Sequence, residues 1–182
     1  MKKGIFLLLC ITLCSFAPAR LVKTKITDDI TVLIPKNFRP MDELDFTQRY
    51  PSVRQPIGAY TNEAREVDFS VNISATQWSP ADTEIAKKFF KAGVVNMFDG
   101  VEMISEGIQT INGKQFIYFE FESRVRGDQS KVDLRDAVLN YTYIQYLVQS
   151  GRTLVFSFTC PRRIREDWQS TAHKMMKGIK VK

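Results

Sequence analysis

Four stretches of this chain alternate polar and apolar residues so regularly that little freedom of local structure remains. Glu66-Val67-Asp68-Phe69-Ser70-Val71-Asn72-Ile73-Ser74 alternates without a break. Successive side chains of an extended strand point to opposite faces, so this run is read as a strand with one dry and one wet face. Ile117, Phe119 and Phe121 form a dry set against Tyr118, Glu120 and Glu122. Leu154, Phe156, Phe158 and Cys160 share a face within 152–160. A further strand is expected over 139–148, with Tyr141 and Tyr143 on one face and Tyr146 on the other. Asn112-Gly113 separates the strand-like runs 101–111 and 114–125, which is the strongest short hairpin signal. Ser150-Gly151 turns the chain again. Hairpin links of this kind imply an antiparallel sheet.

Two segments have the helical period instead. Ser79-Pro80 opens the first, with Ser as N-cap, Pro at the first helical position and Asp82 and Glu84 in the first turn. Ile85, Phe89 and Ala92, with Ala86, Phe90, Val94 and Met97, give it a broad apolar face. Asp99-Gly100 ends it. The second spans 162–178, with a stripe of Ile164, Trp168, Ala172, Met175 and Ile179. Before them comes a short strand, Ile30 to Ile34, stopped by Pro35. A long connection follows over 36–57, carrying Pro40, Pro51 and Pro56, with one helical turn around 41–47. Connections this long are uncommon and often functional, so it is expected to border any binding cleft. A polar loop is expected over 126–133. The order is strand, connection, two strands, helix, four strands, helix. That is an α+β chain whose two helices must cover the sheet.

The start of the chain bears on location. Lys2 and Lys3 precede Ile5-Phe6-Leu7-Leu8-Leu9-Cys10-Ile11-Thr12-Leu13-Cys14, and Ala17-Pro18-Ala19 follows. A basic start, a short apolar run and an A-x-A end are the parts of a secretory signal peptide. The expected organisation is a signal peptide at 1–19, a flexible lead-in at 20–29 and one domain over 30–182. The product would be exported, to the periplasm or the medium. A lipidated Cys14 is the weaker alternative, because a small residue is expected before such a cysteine and Leu13 is large. Without the leader the formal charge falls from +6 to +4, which permits contact with an anionic membrane or acidic partner. Nucleic acid is an unexpected partner for an exported protein. Cys160 alone would survive cleavage at Ala19, so no internal disulfide is available.

No constellation reads as a catalytic or metal centre, and no cofactor is implied. His173 is the single histidine and is placed on the flank of the last helix. Cys160 falls on a dry face, where a thiol is a small inert apolar group. Glu66 with Asp68, and Glu120 with Glu122, are same-face carboxylate pairs suited to acid–base hydrolysis or, more simply, to solvation. Trp78, Tyr118, Glu120, Glu122, Tyr141 and Tyr143 are the candidate binding face, the aromatics lining either a core or a groove. Arg162, Arg163, Arg165, Lys174 and Lys177 are candidates for an anionic surface. The acceptor patterns at Asn72 and Asn140 carry no weight in a chain read as a bacterial export product.

On several of these segments the chain resembles the PsbP/Mog-type fold, and within it the DcrB-like bacterial proteins. They are Ile30-Thr31-Val32-Leu33-Ile34-Pro35, the helix at 80–98, the Ile111-Asn112-Gly113-Lys114 hairpin, the strand at 151–158 and the closing helix. The resemblance covers nearly all of 30–180. It implies an α/β/α sandwich around a mainly antiparallel sheet. It also implies a non-catalytic binding or accessory protein, contacting a protein partner or an apolar or lipid ligand. No site motif of the family can be matched here residue by residue. The alternatives are a carboxylate-dependent hydrolase and a membrane-surface protein.

Overall fold

The computed structural model describes residues 20–50, 55–125 and 137–182. The expected leader and the 126–133 loop lie outside them. The chain opens with a hairpin, β1 (Leu21–Lys25) and β2 (Ile30–Pro35), and continues through β3 (Arg39–Pro40), α1 (Glu43–Arg49), β4 (Gly58–Thr61) and β5 (Asp68–Ile73). A 3₁₀ turn at Pro80–Asp82 leads into α2 (Thr83–Met97). Four long strands follow: β6 (Gly100–Ile111), β7 (Lys114–Val125), β8 (Val138–Gln149) and β9 (Arg152–Pro161). A second 3₁₀ turn, Arg162–Ile164, starts α3 (Arg165–Lys177), and β10 (Lys180–Val181) closes the chain.

Seven strands form one sheet in the order β3-β4-β5-β9-β8-β7-β6, and β1-β2-β10 form a second; every described pairing is antiparallel. The large sheet has two cores. On one face α2 sets Ala86, Phe90 and Val94 against Ile117, Phe119, Phe121 and Tyr146, with Phe90 stacked on Tyr146 at 4.0 Å. On the other, α3 and β2 close over Phe69, Val71, Phe156, Phe158, Tyr141 and Tyr143. Each fully buried Phe contributes about 1.5–3 kcal/mol on transfer grounds. The dry sides of β7 and β9 therefore face opposite ways. The register fixes this: Glu120 pairs with Tyr143, and Tyr143 with Phe158.

Three expectations change. Residues 20–29, read as a flexible lead-in, supply β1, whose backbone pairs with β2 from Leu21↔Pro35 to Lys25↔Thr31. The side of β7 read as wet is buried beneath α3, since a second layer covers the sheet. On α2 only the Ala86-Phe90-Val94 side packs inward, while Ile85, Phe89 and Met97 stay 59%, 48% and 71% exposed.

Asn112 and Gly113 both have positive φ, at 49° and 80°, as a tight hairpin with the sheet's own twist requires. The Asn112 side-chain amide also donates to the Ile179 carbonyl at 2.7 Å, tying this turn to the end of α3. Gly113→Ala puts a Cβ where the backbone is left-handed and should cost about 1–2 kcal/mol. The check is urea unfolding, where the midpoint should fall with the slope unchanged.

Candidate functional site

Antiparallel pairing brings Tyr118, Glu120, Glu122, Tyr141 and Tyr143 onto one face, as their alternation required. Trp78 is not with them. It lies on the α2 side, 5.2 Å from the Phe89 ring and 6.2 Å from Phe90. The five grouped residues do not form an open groove, because α3 lies across them. Glu120 is 3% exposed and Tyr141 is fully buried.

A buried carboxylate needs donors, and Glu120 has four. Tyr141 Oη donates to Oε1 at 2.7 Å, Gln169 Nε2 to Oε1 at 2.6 Å and Ser105 Oγ to Oε2 at 2.9 Å. His173 Nε2 lies 3.0 Å from Oε1. Burial alone would raise this carboxyl's pKa, but these partners outweigh it and hold the group at about 2, below its ordinary 4.5. Ser105 reaches Glu120 because of a β-bulge. The register shifts between Met103 and Ser105, so Ile104 is the extra residue and Ser105 moves to the carboxylate's face. Tyr143 extends the network: its hydroxyl accepts from Gln109 at 3.0 Å and Gln145 at 3.3 Å, and its ring meets His173 edge-on at 5.2 Å. Tyr118 lies over Gly107, where an added Cβ would come within 3.0 Å of the ring.

One strand step along, Glu122 is held by Arg162 Nε at 2.6 Å and Arg165 Nη1 at 2.8 Å. The Arg165 guanidinium also lies 5.7 Å from the Tyr141 ring centroid. Arg163 pairs with Glu66. Lys174 and Lys177 are exposed near the other end of α3. From Arg165 to Lys177 the helix runs about 18 Å at 1.5 Å per residue, so the five basic candidates form no single patch.

The other carboxylate pair is split between partners. Glu66 meets Arg163, while Asp68 meets Arg49 at 3.1 Å, and burial raises the Asp68 pKa. Asp68 joins an ionic cluster that pins α1. Asp45, fully buried, binds Arg65 at 2.6 Å and Arg39 at 2.8 Å and accepts from the Asp42 amide at 3.1 Å. Burial opposes its charge, yet the Asp42 amide and the arginines hold it at about 2. The described part of the 36–57 connection around α1 is therefore held by a buried ion cluster. Neither of two surface cavities draws on it. One, of about 700 Å³, is lined by Ala137, Val138, Leu139, Asn140, Pro161, Arg162 and Arg163. The other, of about 330 Å³, lies near the start of α2 beside Lys114 and Val148.

Sequence reasoning missed Gln169, although its spacing of four from His173 puts both on one flank of α3. It also missed the Asp45 cluster. Only the Asp42-x-x-Asp45 capping box could have been read in advance. Cys160 is fully buried, and burial, helped by Asp167, pushes its thiol up to about 12. Among the described residues no cluster of His, Cys, Asp and Glu could hold a metal.

Two outcomes follow from this geometry. Cys160 should not react with a disulfide-exchange reagent in the native protein and should react fully in denaturant. Glu120→Gln should lower stability by about 1–3 kcal/mol at pH 7 by leaving its donors poorly matched. A folded pKa of about 2 means Glu120 stabilises fully above its ordinary 4.5 and loses that effect as pH falls towards 2. The gap between parent and variant in urea melts should narrow across that window. A gap that is constant with pH would contradict the ionised brace.

Compared by sequence, the chain matches no protein-family model and no curated protein. Solved structures match it in shape. The solution structure of cyanobacterial PsbP (CyanoP) from Synechocystis gives a TM-score of 0.61 at 15% identity, over 92% of this chain and 96% of that one. The Saccharomyces cerevisiae Ran-binding protein Mog1p gives 0.58 at 13% identity, over 90% and 96%. LpqN of Mycobacterium tuberculosis, involved in cell envelope biogenesis, gives 0.55 at 12% identity, over 92% and 87%. At these identities the likeness is one of architecture. The chain has the PsbP/Mog-like fold, with helices covering both faces of an antiparallel sheet.

Proposed function

We propose that this is an exported, non-catalytic binding or accessory protein that presents the outer face of α2 to a protein partner. The observation that carries the reading is the half-packed helix. Ala86, Phe90 and Val94 already satisfy the sheet, yet Ile85 and Phe89 remain exposed at 59% and 48% on the next stripe round. Trp78 packs against Phe89 and backs that stripe. Apolar surface gathered on one helix, with aromatics at its centre, is the usual make-up of a protein contact. The likeness to a Ran-binding protein supports a protein partner, since the fold serves protein binding there.

Export rests on the leader pattern, whose end lies close to the first strand. β1 starts at Leu21, two residues past the Ala19 end of that pattern. A periplasmic or secreted location and the narrower kinship with DcrB-like proteins belong to the same proposal. The hydrolase alternative needs a carboxylate pair in one pocket, and Asp68, whose pKa burial raises, is tied to Arg49 while Glu66 meets Arg163. Glu120 and Glu122 are saturated by neighbours, and the Glu120 pKa moves opposite to that of a general acid.

Two measurements test this. The mass of the mature protein should place its first residue at Arg20; a lipid-bearing Cys14 would make it a lipoprotein, and an intact Met1 would remove export. A photo-crosslinking residue at 89, in the native host, should give one discrete adduct that Ile85→Asp abolishes, while the same group at exposed Glu63 should not. Identical adducts from both positions, or none from 89, would remove the α2 partner face.

A further inference from the structure

One i, i+4 ridge on the outer side of α2 reads Ile85, Phe89, Gly93, Met97, that is large, large, small, large. The neighbouring ridge, Ala86, Phe90 and Val94, is the one that packs on the sheet. Phe89 is a braced knob. Its ring lies between Trp78 at 5.2 Å and Phe90 at 5.6 Å, yet it stays half exposed. Gly93, one turn on, is a notch of matching kind, since a Cβ built there meets nothing within 4 Å. Ala92 beside it is also small.

This ridge is complementary to its own reverse. In an antiparallel pair of α2 helices about a two-fold axis at residue 91, Phe89 meets the Gly93 of the other copy and Ile85 meets its Met97. Ridges of this spacing interlock in the commonest class of helix packing, at about 8–10 Å between axes, and a glycine at the crossing favours the close end of that range. One patch used by both subunits is how a two-fold dimer is built. The four ridge residues carry no charge. Lys87, Lys88 and Lys91 fall on the other flank of the helix, where Lys91 is tied to Glu106 at 2.7 Å.

We infer that the partner of the α2 face is a second copy of this chain, docked through a two-fold α2 pair with the Phe89 of each copy in the Gly93 notch of the other. This rests on the reading of α2 as a partner face and names the partner. Side chains of this size offer roughly 150–250 Å² each. With Ile85, Phe89 and Met97 half exposed or more, each copy brings on the order of 300–400 Å², below the roughly 800 Å² of a standard interface. The dimer is therefore weak and reversible.

Sedimentation equilibrium of the native protein from about 10 μM to about 1 mM covers the affinities of so small a contact. It should show a monomer–dimer equilibrium. Gly93→Leu fills the notch and should weaken the dimer about tenfold. The melting temperature of its monomer should hold or rise, because a glycine in an exposed helix costs about 1 kcal/mol. Phe89→Ala removes the knob and should weaken the dimer by a similar factor. Mixed together, the two variants should pair better than either does alone. The intact Phe89 of the first then faces the intact Gly93 of the second, and the new leucine faces the new alanine. Tighter association of Gly93→Leu would overturn the proposal, since added apolar surface would then act without a notch. Monomer throughout the range, or no pairing in the mixture, would overturn it as well. The crosslinker at 89 separates the two readings. An adduct of twice the chain mass supports the second copy, an adduct with a different protein keeps the α2 face and removes the second copy, and no adduct removes both.

Discussion

The pairing of Glu120 with Tyr143, and of Tyr143 with Phe158, is the constraint on which the rest of this structure depends. It puts the charged side of β7 and the aromatic side of β9 on one face of the sheet. Ile117, Phe119 and Phe121 are thereby sent to the opposite face. A sheet with apolar strips on both faces needs two covers, and α2 and α3 supply them. A slip of one residue in β8 would send Tyr141 and Tyr143 to the α2 side and leave Glu120 buried against unrelated neighbours.

The same register creates the polar centre of the α3 layer. A carboxylate under a helix is costly unless its lone pairs are filled. Glu120 meets that cost with donors from three separate sources: Tyr141 across the strand, Ser105 through the bulge in β6, and Gln169 and His173 from α3. Two of those contacts, from Gln169 and His173, tie α3 to the middle of the sheet. Glu122 does the same for the helix start through Arg162 and Arg165, and so shapes the corner where the large cavity opens. Asp45 plays a matching part for α1.

Much of the architecture was legible because it rests on local patterns. Alternation marked β5, β7, β8 and β9, Asn112-Gly113 marked the tight hairpin, and Ser79-Pro80 marked the entry to α2. The residues beneath α3 were grouped correctly but read as wet. Tyr118, Glu120 and Glu122 have the polarity of a solvated face, and nothing local says that a helix whose contacts with them span 43 to 53 residues of sequence will cover them. The first hairpin was missed for a similar reason. Val22 and Lys23 are exposed and Thr24 is half-buried, and only the edge of β2 makes them a strand. The apolar face of α2 was read as wider than the part that packs, since helical period shows which residues share a side and not how much of it finds a partner.

What the sequence determined by itself is therefore each element and its two faces, because side-chain direction follows from backbone geometry within a few residues. What only the tertiary structure decided is which face meets which. Strand parity is set by hydrogen bonds between segments far apart in the chain, and those bonds alone turned a row of glutamates inward and left a row of apolar helix residues outside.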